Sequence, residues 1–267
     1  MKPKIGKLLQ VDGLTLVLTS RRFFIPPEFI RNEEALLPCS EARHLKNVLR
    51  IREGERVEIF DGEGGAWSGA VQFRRDEVFV CGLARISSRR QTAAARLTLA
   101  LAMIKPARFE WALEKATELG VDEILPLFAA RSEIRVSSEK ISGRLARWDR
   151  IAREASKQCR RLDVPGVRPP LEFRGFLSSE KYSIQNKIIF HEKSGDQWPP
   201  DQAKTAVDTI ICIGPEGGWT EDEIEFAEKS GCGVFGLGRP VLRAETAAIA
   251  ALSVFQYIYR SNLREGG

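Results

Sequence analysis

DTIICIGPEGGWTEDEIEFAEKSG, Asp208 to Gly231, is the stretch whose reading decides the fold. The apolar run Thr209–Ile213 breaks into Gly214-Pro215-Glu216-Gly217-Gly218, and Thr220 with Glu223 then makes the signature of a capping box that opens a helix. A short apolar run without alternation reads as a strand buried on both faces, as in mainly parallel sheets covered by helices. Glycines at such a strand-to-helix turn let backbone approach a ligand closely, and ligands of open α/β sheets lie beyond the carboxyl ends of the strands. The turn therefore points to a nucleoside-type ligand; the alternative is a tight turn with no ligand. Neither G-x-G-x-x-G nor G-x-x-x-x-G-K-[ST] occurs here, which removes the main support for a dinucleotide or phosphate-loop site.

Working outward, LTLALAMI, EILPLF, NKIIFHE and GVFGLG are further apolar runs separated by helical stretches, the first followed by Pro106 at a helix start and Gly120 at its end. This is the α/β pattern of strands alternating with helices. A second glycine-bearing turn, Gly236 to Ala247, closes the last of these strands and opens the helix AAIAALSVFQYIYR, so that two turns can form one pocket. Within it, Arg243 and Glu245 stand at a helix start and read either as catalytic groups or as an ion pair with helix-dipole charge.

Upstream the pattern differs. RRFFIP, ERVEIF, AWSGAVQF and EVFVCGLARIS read as short strands of a small β-barrel, with Asp61–Gly65 as a turn and a short helix over 40–49 capped by Ser40. Phe23 and Phe24 belong to its core rather than to a base-stacking platform. SSRRQTAAAR, residues 87–96, is polar and basic and reads as a linker, placing the boundary near residue 92. The expected organisation is an N-terminal extension at 1–20, a barrel at 21–92 and an α/β domain at 93–267.

Of the 267 residues 43% are hydrophobic and 29% charged, enough to bury a core and unlike a disordered chain. The five cysteines are scattered and never form C-x-x-C, and there are two histidines, His44 and His191, so neither a disulfide framework nor a metal site is expected. Asp12 and Gly13 break the first apolar run, so no signal peptide is expected, and no stretch reaches the roughly 18–20 apolar residues of a membrane span. A cytoplasmic protein fits best. The net charge of +5 is unevenly placed: residues 131–174 hold twelve Lys and Arg against six Asp and Glu, a net of +6, whereas 214–267 hold five against eight, a net of −3. In LARWDRIAREASKQCRRL, Leu145, Trp148, Ala152, Ala155, Cys159 and Leu162 make a buried face, while Arg150, Arg153, Lys157 and Arg160 fall on another. That stripe suits an RNA phosphate backbone or is a solvated face; Arg21, Arg22, Lys46, Arg50 and Arg52 form a second basic cluster that favours RNA.

RRFF, HLKNVLRIREGE, KATELGVDEILPLFAARSE, REASKQCRR, IGPEGGW and LGRPVLRAETAAIAA, in this order from Arg21 to Tyr259, resemble the RsmE family of 16S ribosomal RNA uridine-N3 methyltransferases. The resemblance implies a PUA-like barrel for RNA and a SPOUT trefoil-knot methyltransferase domain, although general rules of chain connection argue against a knot. It implies a homodimer and S-adenosylmethionine, held by Ile213, Gly214, Pro215, Glu216, Gly217 and Gly218 on one side and by Leu237, Gly238, Val241, Leu242 and Arg243 on another, with His191 and Glu192 as a third wall. It places Arg131, Ser132, Gln158 and Arg161 toward the RNA or the active site. For the chemistry, Arg243 is expected to stabilise charge on the uracil, with Glu216 or Glu245 as base or orienting partner. Members of the family start close to RRFF, which makes residues 1–20 an extension. The rival reading is a non-catalytic RNA-binding assembly factor whose glycine turns are structural.

Overall fold

In a computed structural model the chain forms two compact units, residues 1–90 and 91–267. The structure describes residues 8–11, 14–17, 21–88, 95–135, 137–183, 185–195 and 207–265. The boundary expected at residue 92 and most of the linker lie outside the described residues.

In the first unit, β1 (Leu8–Val11) and β2 (Leu14–Val17) pair antiparallel within the expected extension. The main sheet comprises β3 (Arg22–Phe24), β4 (Ile30–Arg31), β5 (Glu34–Leu36), β6 (Arg56–Phe60), β7 (Gly65–Arg74) and β8 (Glu77–Ser88), in the order β3-β6-β7-β8-β5-β4. All pairs are antiparallel except β3 with β6. Register shifts between Ala66 and Trp67 and between Ser68 and Ala70 mark bulges, which bend a strand. Phe23 is fully buried in the core, whereas Phe24 is half-buried and packs edge-on against Phe60. Ser40 is not a helix cap. Helix α1 (Cys39–Arg43) starts after Pro38, without a side-chain cap, and runs into a π-helical turn at His44–Leu49 that ends on Arg50 at φ 51. The proline already fixes the entry backbone, which places Ser40 one residue inside.

In the second unit, β9 (Leu97–Ala102), β10 (Glu123–Phe128), β11 (Gly166–Val167), β12 (Leu171–Glu172), β13 (Asn186–Phe190), β14 (Thr209–Ile213) and β15 (Gly233–Phe235) form one parallel sheet. Its order is β11-β10-β9-β14-β13-β15, with β12 also on β10. Alternate strand residues enter opposite cores, as the two-residue strand period requires. Leu99, Leu101, Ile211 and Ile213 join one with α2 (Pro106–Glu118), α3 (Ser138–Gln158) and α6 (Ala244–Glu265); Ala100, Ala102, Ile210 and Cys212 join the other with α4 (Phe173–Leu177) and α5 (Glu221–Lys229). Pro106 opens α2, and Gly120 follows its end at φ +91. Thr220 and Glu223 close the capping box of α5.

Register places the site. Leu101 of β9 stands opposite Ile213 of β14, Ile213 opposite Phe190 of β13, and Phe190 opposite Phe235 of β15. The carboxyl ends of four strands therefore finish at one level. No described helix is long and apolar enough to cross a membrane. On the α2/α3 layer, the Phe109 and Trp148 rings lie 4.8 Å apart, with Trp148 only 2% exposed. Trp148→Ala should destabilise this unit by about 3–5 kcal/mol; urea unfolding followed by circular dichroism checks it, and a loss under about 1 kcal/mol would mean that the tryptophan is not part of the packed core.

Candidate functional site

A cavity of about 340 Å³ opens beyond those strand ends, within the size range of small-molecule sites. Phe190, His191 and Glu192 after β13 form one wall; Ile213, Gly214, Pro215, Glu216, Gly218 and Trp219 after β14 form another; Leu237, Gly238, Pro240, Val241, Leu242, Arg243, Ala244 and Ala247 form the third, and Arg108 reaches in from α2. The two glycine turns and the end of the NKIIFHE strand are thus brought together. Of the residues expected to hold the cofactor, Gly217 does not line the cavity: a Cβ there would lie 3.1 Å from the Cβ of Arg131, on the outer side of the loop. Glu245, expected as a base or orienting group, is also absent from the lining.

The β14–α5 loop is held from behind. Trp219 Nε1 donates to Phe190 O at 3.1 Å and its ring stacks on Phe173 with centroids 4.5 Å apart. Arg131 Nη1 donates to Gly217 O at 2.9 Å, and Glu223, inside the capping box, accepts from Ala130 N at 2.8 Å. A Cβ on Gly214 would come within 3.0 Å of the Trp219 ring, so glycine is required by close approach; Gly218, at φ +69, is required by its backbone. Burial pushes the His191 imidazole below its ordinary value, against the opposing pull of Glu192. The imidazole is therefore mainly neutral near neutral pH.

Sequence reading missed Phe190, Trp219, Ala244 and Ala247 of the lining and, among its charged residues, Arg108. Its guanidinium lies between Glu216, at 3.4 Å from Nη1, and Glu245, at 3.6 Å from Nε. The available signal was its place two residues after Pro106, where the first α/β strand hands over to a helix. Glu245 is paired with Arg108, so the expected alternative of a local Arg243–Glu245 ion pair does not hold; Arg243 is exposed at the cavity wall.

The basic residues expected to meet RNA have varied fates. Arg22 is 4% exposed, stacked 4.2 Å from the Phe60 ring and paired with Glu58, and Arg21 pairs with Glu55. Lys46 and Arg50 are exposed. The stripe of α3 is broken: Lys157 is 7% exposed and paired with Glu154, while Arg160 lies beyond the helix end at φ 62. Arg153 is half-buried. Arg150 and Gln158 line a groove with Glu114, Glu118 and Glu154, whose carboxylates oppose a phosphate. Arg161, with an 11% exposed side chain, donates to Thr117 O and pairs with Asp163; Arg131 clamps the glycine loop. Helical spacing identified Leu145, Trp148, Ala152 and Ala155 on the inner face, but Cys159 and Leu162 lie beyond the end of α3, and spacing does not reveal which cations have carboxylate partners.

Comparison with known proteins accords with this architecture. Residues 91–256 match an RNA methyltransferase domain family and residues 38–80 an RNA methyltransferase PUA domain family. Ribosomal RNA small subunit methyltransferase E of Synechocystis is 30% identical, covering 98% of this chain and 86% of that protein; the Bacillus subtilis protein of the same name is 28% identical, covering 89% and 96%. A putative methyltransferase of Legionella pneumophila, solved with its bound cofactor S-adenosylmethionine, matches with a TM-score of 0.80 at 30% identity, covering 90% of this chain and 98% of that one. The Neisseria gonorrhoeae ribosomal RNA small subunit methyltransferase E, bound to S-adenosylmethionine, matches with 0.78 at 29% identity, covering 89% and 97%. The fold class is that of the SPOUT trefoil-knot methyltransferases preceded by a PUA-like barrel, and over nearly its whole length the chain belongs to the family of ribosomal RNA small subunit methyltransferase E.

Proposed function

We propose that this protein methylates small-subunit ribosomal RNA with S-adenosylmethionine, at N3 of a uridine, and that it does so as a cytoplasmic homodimer. The observation that carries the reading is the cavity at the aligned ends of β13, β14 and β15, walled by both glycine turns, in a chain akin over nearly its full length to methyltransferases solved with that cofactor. Val241 at the cavity mouth and Tyr257 on α6 are 75% and 77% exposed, apolar surface that a second copy would cover.

The residues fit the donor. The Gly214 backbone is open where a Cβ would fill the space beside Trp219, and a half-buried, predominantly neutral His191 adds little repulsion toward a cation. When bound, S-adenosylmethionine supplies an electrophilic methyl group on a sulfonium. Uridine N3 must lose its proton as it is methylated, and Glu216, which lines the cavity, is the acceptor; Glu245 lies behind it. Arg243, exposed on the opposite wall, stabilises charge developing on a uracil oxygen. The walls orient both partners and exclude water, and a target in a loop or single strand costs less to splay out. Lys46 and Arg50 of the first unit, both exposed, contribute phosphate contacts.

Titration calorimetry with S-adenosylmethionine, joined to mass-spectrometric mapping of ribosomal RNA from cells lacking the protein, tests the reading. Absence of donor binding at millimolar concentration would support a non-catalytic assembly factor, and a modification other than N3-methyluridine would move the target atom. Arg243→Ala should lower the single-turnover rate by about 100- to 1000-fold with donor affinity and melting temperature unchanged; a parallel fall of all three would assign it to ordering the turn. Lys46→Gln with Arg50→Gln should weaken RNA binding and flatten its log–log salt dependence by about 1.4, near 0.7 for each single-strand phosphate that is no longer neutralised. Arg150→Gln should alter that slope less, because carboxylates surround it; an unchanged slope in the first pair would place the RNA-binding surface elsewhere.

A further inference from the structure

Three elements distant in sequence meet at one guanidinium. Arg108 is the third residue of α2, Glu216 lies in the loop after β14, and Glu245 is the second residue of α6. Arg108 and Glu216 line the cavity; Glu245 does not, and its side chain is 12% exposed. Glu245 thus anchors Arg108 from the protein side, and Arg108 in turn contacts the carboxylate at the cavity mouth. Both separations, 3.4 and 3.6 Å, exceed the roughly 2.7–2.9 Å of a closed charge-assisted hydrogen bond. The guanidinium is shared between the two rather than committed to either. Among the described residues no other cation lies within ion-pair distance of Glu216 or Glu245. Glu245 Oε2 is buried without a hydrogen-bond partner, so among the described residues Arg108 is the one side-chain cation that compensates this carboxylate, beside the positive end of the α6 dipole.

We infer that Arg108 is a positioning residue for methyl transfer: anchored by Glu245, it sets the Glu216 carboxylate at the cavity mouth where the proton of the target base is taken up. This rests on the function proposed above. A guanidinium suits the task because its planar fork presents Nε to one carboxylate and Nη1 to another at fixed geometry, which a lysine ammonium reproduces only in part. The alternative is a tether that merely joins α2 to α6.

The two accounts differ in measurable ways. Arg108→Gln should lower kcat by about 10- to 100-fold, the range expected when a reacting group is misplaced by about an ångström, while KM for S-adenosylmethionine stays within a few-fold. Arg108→Lys should recover part of the rate. Because Arg108→Gln alone leaves Glu245 buried and uncompensated, it is paired with Arg108→Gln/Glu245→Gln, which removes both charges and keeps the shapes. A positioning role predicts that this double variant melts near the parent yet remains slow. It also predicts that Arg108→Gln slows a Glu216→Gln background hardly at all, since the group it positions is already disabled. Recovery of the parent rate in Arg108→Gln/Glu245→Gln, or an equal slowing in the Glu216→Gln background, would overturn the inference and leave the tether. An inactive parent that binds no donor would instead overturn the function on which it rests; an active parent without coupling between positions 108 and 216 sinks Arg108 alone.

Discussion

Parallel pairing of β9, β14, β13 and β15 is the constraint on which everything else in the second unit depends. Leu101, Ile213, Phe190 and Phe235 share one level across the sheet, so the segments that leave these strands emerge side by side. A parallel sheet is stable only with both faces covered, and the alternation of Leu99 and Leu101 into one core with Ala100 and Ala102 into the other meets that demand. Slipping β14 by one residue would exchange the two faces and displace the glycine loop from its neighbours. The chain returns to insert β14 between β9 and β13, so strands far apart in sequence have adjacent ends.

On that frame the glycine loop is shaped by Trp219 of the cavity wall and by groups on the loop's outer side. Trp219 bonds the end of β13 and stacks on Phe173, Arg131 holds Gly217 from the outer side, and Glu223 serves its own helix cap while accepting from Ala130. The wall is preorganised by this backing, which leaves Glu216 and Arg243 available toward the cavity. Preorganisation of this kind reduces the reorganisation required when ligands bind.

The electrostatics follow the same division between structural and available charge. Five of the twelve cations of residues 131–174 are held in the ion pairs Arg135 with Glu172, Arg147 with Glu110, Lys157 with Glu154, Arg161 with Asp163 and Arg168 with Glu123, two of them with carboxylates from outside the segment that offset part of its net +6. A charge excess along a segment therefore says little about the field it presents, because partners such as Glu110 and Glu123 lie outside that segment. Lys46 and Arg50 of the smaller unit remain exposed.

The amino-acid sequence by itself determined what depends on neighbouring residues. Buried runs marked the five main strands of the parallel sheet, Pro106 and Gly120 bounded a helix, Thr220 with Glu223 capped another, and the two glycine turns marked the cavity walls. The short strands β11 and β12 were not visible, because two residues carry no period. Ser40 was misread because the preceding proline had already set the helix entry. Only the tertiary structure decided strand order and register, and with them the meeting of Arg108 with Glu216 and Glu245, the withdrawal of Glu245 behind the cavity, and the burial of Arg22, Lys157 and Arg161. Caps, turns and periodicity act over a few residues, whereas the partner a charge finds and the depth at which it sits are set by distances through space between segments that are remote along the chain.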